Sequence, residues 1–126
     1  MADPKEYQKT FARLKRILQK HAKHLTVVTD KSANYYLDAG YSEKWKKEIF
    51  FGAVSIKKNY VSFYLMPVYT CPELLKGISP ALKKRMQGKS CFNFTTSDDA
   101  TLRELATLTE KGYQRFKKEK WAPVRK

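Results

Sequence analysis

The sequence predicts an α+β domain, in which an antiparallel sheet of about five strands is covered by an N-terminal and a C-terminal helix. Three observations support this prediction. Both ends of the chain carry apolar residues at helical spacing, residues 48–68 contain two apolar runs joined by a short polar turn, and strands joined by such turns pair antiparallel. The chain has 126 residues, and we expect one domain over 1–126 with its core at about 7–120.

The first predicted helix begins with a strong start signal. Asp3 is placed to cap it, Pro4 occupies the first helical position, and Glu6 follows three residues after the cap. One face is apolar, through Tyr7, Phe11, Leu14, Leu18 and Ala22. Another face is basic, through Lys5, Lys9, Arg13, Arg16, Lys20 and Lys23. The helix is therefore expected to pack its apolar face on a sheet and to expose its basic face.

The strand signals come next. The stretch LTVVTDKSANYYLD reads as two short strands around a polar turn at 30–34, and AGYSEKWKKE, which contains Trp45, is expected to be an exposed loop. The clearest hairpin is EIFFGAVSIKK followed by NYVSFYLMPVY, because Asn59 tolerates the left-handed conformation of a tight turn. Pro67 is expected to mark an edge or the end of this pairing.

The second half predicts short helices, a strand and a long helix. CPELLKGI and SPALKKRMQG each read as a short helix, with Ser79 capping the second and Gly88 ending it. SCFNF reads as the last strand, and Ser97 is expected to cap the final helix. That helix has one apolar face, made of Leu102, Leu105, Thr109, Gly112 and Phe116. Gly112 on this face suggests a close approach to the sheet.

The tripeptide Gly88-Lys89-Ser90 matches the end of a phosphate-binding P-loop. A P-loop also needs a glycine five residues before the second one, and it needs the order strand, loop, helix. Lys83 occupies the earlier position, and the predicted order is helix, glycine, strand. The sequence therefore predicts no nucleotide-binding loop here.

Other candidate chemistry is weak. His21 and His24 have a spacing that suits two metal ligands, but no further ligand is evident and Lys20 and Lys23 adjoin them. Cys71 and Cys91 have no CxxC spacing, and reduced core thiols are expected rather than a disulfide. No triad or paired carboxylates can be proposed from spacing. We predict no catalytic residue, no metal ligand and no cofactor, and therefore not an enzyme.

The net charge of +14 is the strongest compositional feature. The charge is distributed along the whole chain, so it favours an anionic partner such as nucleic acid or an acidic protein, although it also serves solubility alone. Two groups of residues are the candidate anion-binding site: Lys9, Arg13, Arg16 and Lys20 on the first helix, and Lys83, Lys84, Arg85 and Lys89 before the last strand. Four tyrosines offer stacking surface if exposed: Tyr35, Tyr36, Tyr60 and Tyr64.

The sequence also bounds the location. The N-terminus, MADPKEYQKTF, contains no apolar core of a secretory signal, and no stretch approaches the ~20 apolar residues that span a membrane. We expect a soluble, cytoplasmic protein without a membrane partner.

The order of elements resembles a known family. FFGAVSIKKNYVSFYLMP, then ELLKGISPALKKRMQGKSCFNF, then the last helix, resembles the YdhG-like family of bacterial domains over about residues 7–120. The resemblance implies the same α+β fold. Some members of that family are described as frataxin-like iron chaperones, so it also implies intracellular iron handling and an iron-acceptor protein as partner.

No iron-binding residue is carried over from the resemblance. Iron delivery of that kind uses clustered surface carboxylates, and hard cations prefer oxygen-rich, anionic ligands. The only local concentration here is Asp98, Asp99 and Glu104, which the cap of the last helix explains. Two hypotheses remain: iron handling, implied by the resemblance, and a basic module for an anionic partner, favoured by the charge. Clustered carboxylates on the folded surface would favour the first, and a continuous positive groove with exposed tyrosines the second.

Overall fold

The computed structural model describes residues 4–42, 46–96 and 98–119. Four α-helices lie within them: α1 (Pro4–Gln19), α2 (Met66–Thr70), α3 (Pro80–Lys83) and α4 (Asp99–Glu119). The five strands are β1 (Thr26–Lys31), β2 (Asn34–Ser42), β3 (Lys47–Ile56), β4 (Val61–Leu65) and β5 (Cys91–Phe94). Two 3₁₀ turns, Ala22–His24 and Pro72–Leu75, complete the described elements. No described helix is both long enough and apolar enough to cross a bilayer.

The strands form one sheet in chain order, β1-β2-β3-β4-β5, and every neighbouring pair is antiparallel. All sequential strands are therefore neighbours, and the longest connection, from β4 to the adjacent β5, passes through α2, the second 3₁₀ turn and α3. This order confirms the predicted class, an antiparallel five-stranded sheet with helices at both ends of the chain.

The long helices α1 and α4 cover one face of the sheet, which we call the helical face. The core lies between them and the strands, where the largest fully buried side chains meet: Leu14, Leu18, Leu37, Phe51, Phe63, Leu65, Phe92, Leu105 and Phe116. Phe51 shows the contact with α4 directly, because its ring meets the ring of Phe116 edge-on at 5.9 Å between centroids. The predicted apolar faces of both long helices are buried, except for Ala22, which is partly buried in the 3₁₀ turn because α1 ends at Gln19.

A bulge in β3 explains why the helical face receives Phe51. Leu37 pairs with Gly52 but the next residue, Asp38, pairs with Phe50, so Phe51 is an extra residue in β3. A bulge re-aims the side chains around it. Phe50 therefore packs beside Tyr36, with their centroids 4.7 Å apart, while Phe51 is buried under the helices.

Three predicted elements differ in extent from the structure. The loop expected over 39–48 is mostly strand, because β2 continues to Ser42 and β3 begins at Lys47, while Trp45 lies outside the described residues. The helix expected in CPELLKGI is a 3₁₀ turn. The helix expected in SPALKKRMQG ends at Lys83 after four residues, although Ser79 caps it as predicted, since its hydroxyl accepts from the Leu82 amide at 3.2 Å.

Gly88 does not end α3, contrary to the prediction. The chain after α3 turns back as a narrow hairpin, in which the Asn93 amide donates to the Arg85 carbonyl at 2.7 Å and the Gln87 amide to that of Cys91 at 2.8 Å. Gly88 lies in the turn with φ +85°, a conformation that favours glycine. Gly88-Lys89-Ser90 therefore leads into strand β5, which agrees with the prediction that it is not a P-loop.

The start of α4 is capped by a different residue from the one predicted. Ser97 lies outside the described residues, and Asp98 supplies the cap: its carboxylate accepts from the Thr101 amide at 3.0 Å and from the Thr101 hydroxyl at 2.6 Å. A carboxylate at this position satisfies an otherwise unpaired helix amide and complements the helix dipole.

Gly112 makes a close approach, but to α2 and not to a strand. A Cβ on Gly112 would lie 2.8 Å from the Pro67 Cβ. The close contact thus holds α4 against α2. β4 ends at Leu65, and Pro67 lies in α2 directly after it, so the second apolar run, NYVSFYLMPVY, is strand only before Met66.

Candidate anion-binding surface

The four basic residues predicted on α1 form one outward stripe. Lys9, Arg16 and Lys20 are exposed, and Arg13 is half-buried. They follow one another at intervals of four, three and four residues, which keeps them on one side of a helix. The apolar residues of α1 are buried on the other side. The stripe is a direct result of the amphipathic sequence of α1.

Arg13 and Arg16 also line a groove between α1 and α4. The groove has a volume of about 320 Å³, and α4 contributes Arg103 to it. The remaining lining residues are Ile17, Asp99, Leu102 and Ala106. Three arginines thus line one depression together with three apolar residues. We call this the arginine groove.

One carboxylate partly balances the arginine groove. Asp99, in the first turn of α4, forms an ion pair with Arg13. This hydrogen bond, with the positive charges of Arg13 and then Arg103, lowers the pKa of Asp99, so the carboxylate stays ionised in neutral solution. The pair ties α1 to the start of α4. Since three arginines and one aspartate line the groove, its net charge is positive.

The second predicted group adjoins the first at the start of α4. Hydrogen bonds from Thr101 lower the pKa of Asp98, and the positive charges of Arg85 and Arg103 lower it further. Arg103 therefore lies close enough to interact electrostatically with both Asp98 and Asp99, and Arg85 lies close enough to interact with Asp98. Arg85 and Arg103 are both brought near Asp98 because α4 begins directly after β5.

The rest of the second group surrounds Arg85. Its guanidinium lies over the ring of Phe94, 5.6 Å from the centroid, which holds the side chain in place while its charge stays near the surface. Lys83 at the end of α3, Lys84 in the turn that follows and Lys89 in the hairpin are all exposed. The two predicted groups thus lie near opposite sides of the start of α4, with Arg103, Asp98 and Asp99 between them.

Arg103 was not among the residues predicted from the sequence. In the sequence it is one of several charged residues on the last helix, without a basic run around it. Its importance comes from the packing of α4 beside α1, which no local pattern reveals. A weak signal exists, since Asp99 and Arg103 are four residues apart and share a helix face.

The three acidic residues considered for metal binding each have another role. Asp98 caps α4, and Asp99 pairs with Arg13. Glu104 accepts from the Ser79 amide at 2.7 Å and from the Ser79 hydroxyl at 2.5 Å, which fastens the start of α3 to α4. Across 4–42, 46–96 and 98–119, no three His, Cys, Asp or Glu side chains are grouped so as to hold a metal ion.

The four tyrosines named from the sequence divide between the two faces of the sheet. Tyr35 is buried on the helical face, where the Lys15 ammonium lies 5.1 Å from its ring centroid. Tyr36 and Tyr64 are partly exposed on the opposite face, and Tyr60 is exposed beside the β3–β4 turn. Tyr35 is therefore excluded as a stacking surface, and the other three stay candidates.

The two histidines and the two cysteines occupy different environments. His21 is buried and stacks on Tyr113 with a centroid separation of 4.8 Å, whereas His24 is half-buried, 6.0 Å from the same ring. Cys71 is buried and Cys91 half-buried, and both are free thiols. Burial raises the pKa of the Cys91 thiol, so it is protonated at neutral pH and a poor nucleophile.

His21 should make the protein sensitive to mild acid. Burial is the main reason that its pKa lies below the ordinary 6.5; Glu110 opposes the shift, and Lys20 and His24 add to it. The unfolded chain therefore binds this proton more readily, so stability should decrease as the pH falls below about 6.5. We expect His21→Phe to flatten this decrease in thermal melts recorded between about pH 5 and 7.5.

His24→Gln is the matched control for this experiment. It removes the only other histidine of the sequence. Any decrease of stability with falling pH that remains in this variant is therefore due to His21 or to carboxylates. An unchanged slope in His21→Phe would show that the buried imidazole does not control the acid response.

The comparisons with known proteins identify no relative. No family model matches the chain, and neither a curated protein nor a solved structure matches it.

Proposed function

We propose that this protein is a non-enzymatic binding module for nucleic acid, which it holds by the phosphate backbone on the surface formed by α1 and the start of α4. The observation that carries the proposal is the arginine groove, where Arg13, Arg16 and Arg103 from two helices border one depression. Lys9 and Lys20 extend the positive surface along α1, and Arg85 with its neighbouring lysines extends it past the start of α4.

Phosphate is the anion that best suits this groove. A guanidinium group donates through a planar fork that matches two oxygens of a phosphate, and its charge is permanent. Two of the three arginines come from the stripe on α1 and the third from α4, so the groove presents donors from both walls. Because Arg13 already engages Asp99, Arg16 and Arg103 are the two arginines of the groove that we expect to contact phosphate.

The length of the surface favours a polymer over a small phosphate compound. The stripe from Lys9 to Lys20 covers eleven residue steps, which is roughly 16 Å of helix. That length spans several successive phosphates of a nucleic-acid strand. The net charge of +14 adds a long-range attraction that raises the rate of encounter with a polyanion.

The experiment is a salt titration of binding. A fluorescent DNA duplex of about 20 base pairs is titrated with the protein by anisotropy at salt concentrations from about 50 to 200 mM. If about six phosphates are contacted, affinity should decrease by on the order of a thousandfold over that range. Polyglutamate of similar length serves as the carboxylate competitor and tests the acidic-protein alternative.

Three outcomes separate the hypotheses. A steep salt dependence, with polyglutamate competing poorly, supports the proposal. Equal competition by polyglutamate would favour an acidic protein as the partner. The absence of binding at about 50 mM salt would overturn the proposal, because non-specific electrostatic binding is strongest there. The YdhG-like assignment, and the iron handling that it implies, stay predictions.

A further inference from the structure

The face of the sheet opposite to α1 and α4 has a distinct composition. We call it the open face, because in the described part of the chain the two long helices pack on the other side. Directly paired residues of neighbouring strands point to the same face. Ala53 of β3 pairs with Tyr36 on one side and with Tyr64 on the other, so these three residues share the open face.

Two aromatic rings therefore stand on either side of a small residue. Two strand spacings separate Tyr36 from Tyr64, which places their backbones about 10 Å apart. Ala53 between them is buried, whereas both tyrosines are partly exposed, so the rings project above it. Phe50 extends the aromatic surface beyond Tyr36, against which it packs.

A polar row lies beside the aromatic residues. Ser55 pairs with Ser62, and Ser62 pairs with Asn93, so their side chains share the open face as well. The Ser62 hydroxyl donates to the Asn93 side-chain oxygen at 2.8 Å. Ser62 itself is buried, but this bond leaves the side-chain amide group of the partly exposed Asn93 as a donor, and amide groups hydrogen-bond the edges of bases.

Positive charge lies at one end of the open face. Lys31 precedes the β1–β2 turn, and Lys57 and Lys58 lie in the β3–β4 turn, all three exposed. These two turns are at the same end of the sheet, because Asn34 pairs with Ser55 directly beside both. The lysines therefore lie next to the polar row, where they complement a phosphate backbone that enters the face from this end.

We infer that the open face binds the unpaired bases of single-stranded nucleic acid, with Tyr36 and Tyr64 as stacking surfaces and Lys31, Lys57 and Lys58 as phosphate contacts. Aromatic side chains on an open antiparallel sheet are suited to stack successive bases, which duplexes keep inside. The inference rests on the proposed function only for the class of partner, which is nucleic acid. The site is a second one, on the opposite side of the sheet from the arginine groove.

The first experiment uses the unmodified protein and two probes. Labelled oligothymidylate of about 12 nucleotides is compared with a strand of equal length whose deoxyribose phosphates carry no bases. The inference predicts binding of oligothymidylate that is at least about tenfold tighter, because each stacked base contributes on its own. Equal affinity for the two strands would overturn it, and so would the absence of binding to either.

Variants locate the effect on the open face. Tyr36→Val with Tyr64→Val should reduce the affinity for oligothymidylate by about tenfold or more and leave the affinity for the base-free strand unchanged. Tyr36→Phe with Tyr64→Phe keeps both rings and should bind as the unmodified protein does. If the valine variant does not fold, the phenylalanine variant and the comparison of probes still decide the matter. A loss in the phenylalanine variant equal to that in the valine variant would contradict stacking.

The variants can reject each of the two proposals independently of the other. Arg16→Gln with Arg103→Gln should weaken binding of duplex and leave the preference for bases over the base-free strand intact. If Tyr36→Val with Tyr64→Val weakens the binding of oligothymidylate but the arginine variant binds duplex normally, the proposed function at the arginine groove is wrong and the open-face inference is supported. If the arginine variant weakens the binding of duplex but the valine variant binds oligothymidylate normally, the open-face inference is wrong and the proposed function is supported.

Discussion

The double variant Arg16→Gln with Arg103→Gln is expected to bind duplex DNA on the order of 50-fold more weakly at about 0.1 M salt. Each guanidinium that neutralises a phosphate releases counterions, so the loss of two should reduce the slope of log affinity against log salt by about 1.8. Both residues line the arginine groove, and both are exposed, so the fold should be unaffected. Anisotropy titrations at several salt concentrations measure both quantities.

A control of equal charge distinguishes the groove from the overall charge. Lys111→Gln with Lys118→Gln removes two positive charges from exposed positions in the second half of α4, away from the groove. It should change the affinity only slightly. Equal losses in the two double variants would show that the net charge of +14, and not the arginine groove, determines binding.

Replacement of Gly52 is expected to cause a large loss of stability. A Cβ at this position would lie 2.9 Å from the Leu18 Cδ2 and 3.0 Å from the Tyr64 carbonyl oxygen. Because one of these neighbours is backbone and the other is fully buried, neither can move freely. Gly52→Ala should cost about 1–3 kcal/mol of unfolding free energy, and Gly52→Val more, in urea denaturation.

Ser55→Ala is the matched control on the same strand. Ser55 is partly exposed on the open face, where the loss of a hydroxyl should change the unfolding free energy by about 0.5 kcal/mol or less. If Gly52→Ala is as stable as the unmodified protein, α1 does not lie as close to β3 as the structure places it.

Much of the fold could be predicted because its signals are local. The apolar spacing along α1 and α4 and the two apolar runs around Lys57–Asn59 determine elements without reference to the rest of the chain. The extent of β2 and the shortness of α3 could not be predicted in this way. β2 is extended by its pairing with β3, and α3 ends early because the chain turns back at Arg85 to pair with Asn93.

The candidate site was predictable only in part, for a similar reason. The α1 stripe is local, and the sequence identifies it correctly as an exposed basic face. The groove depends on how α4 packs beside α1, which brings Arg103 to Arg13 and Arg16. The orientation of the tyrosines depends on strand register, which places Tyr35 in the core and Tyr36 on the open face although they are neighbours.

The most direct test of the arginine groove is an NMR titration that follows the side-chain Nε–Hε signals of the arginines while a DNA duplex is added. The sequence contains six arginines, and Arg115, which is engaged with Glu73 at 2.6 Å, is an internal reference away from the groove. The account predicts that the signals of Arg16 and Arg103 shift most and that the Arg115 signal stays in place. Saturation of the protein with duplex while Arg16 and Arg103 remain unshifted would contradict it.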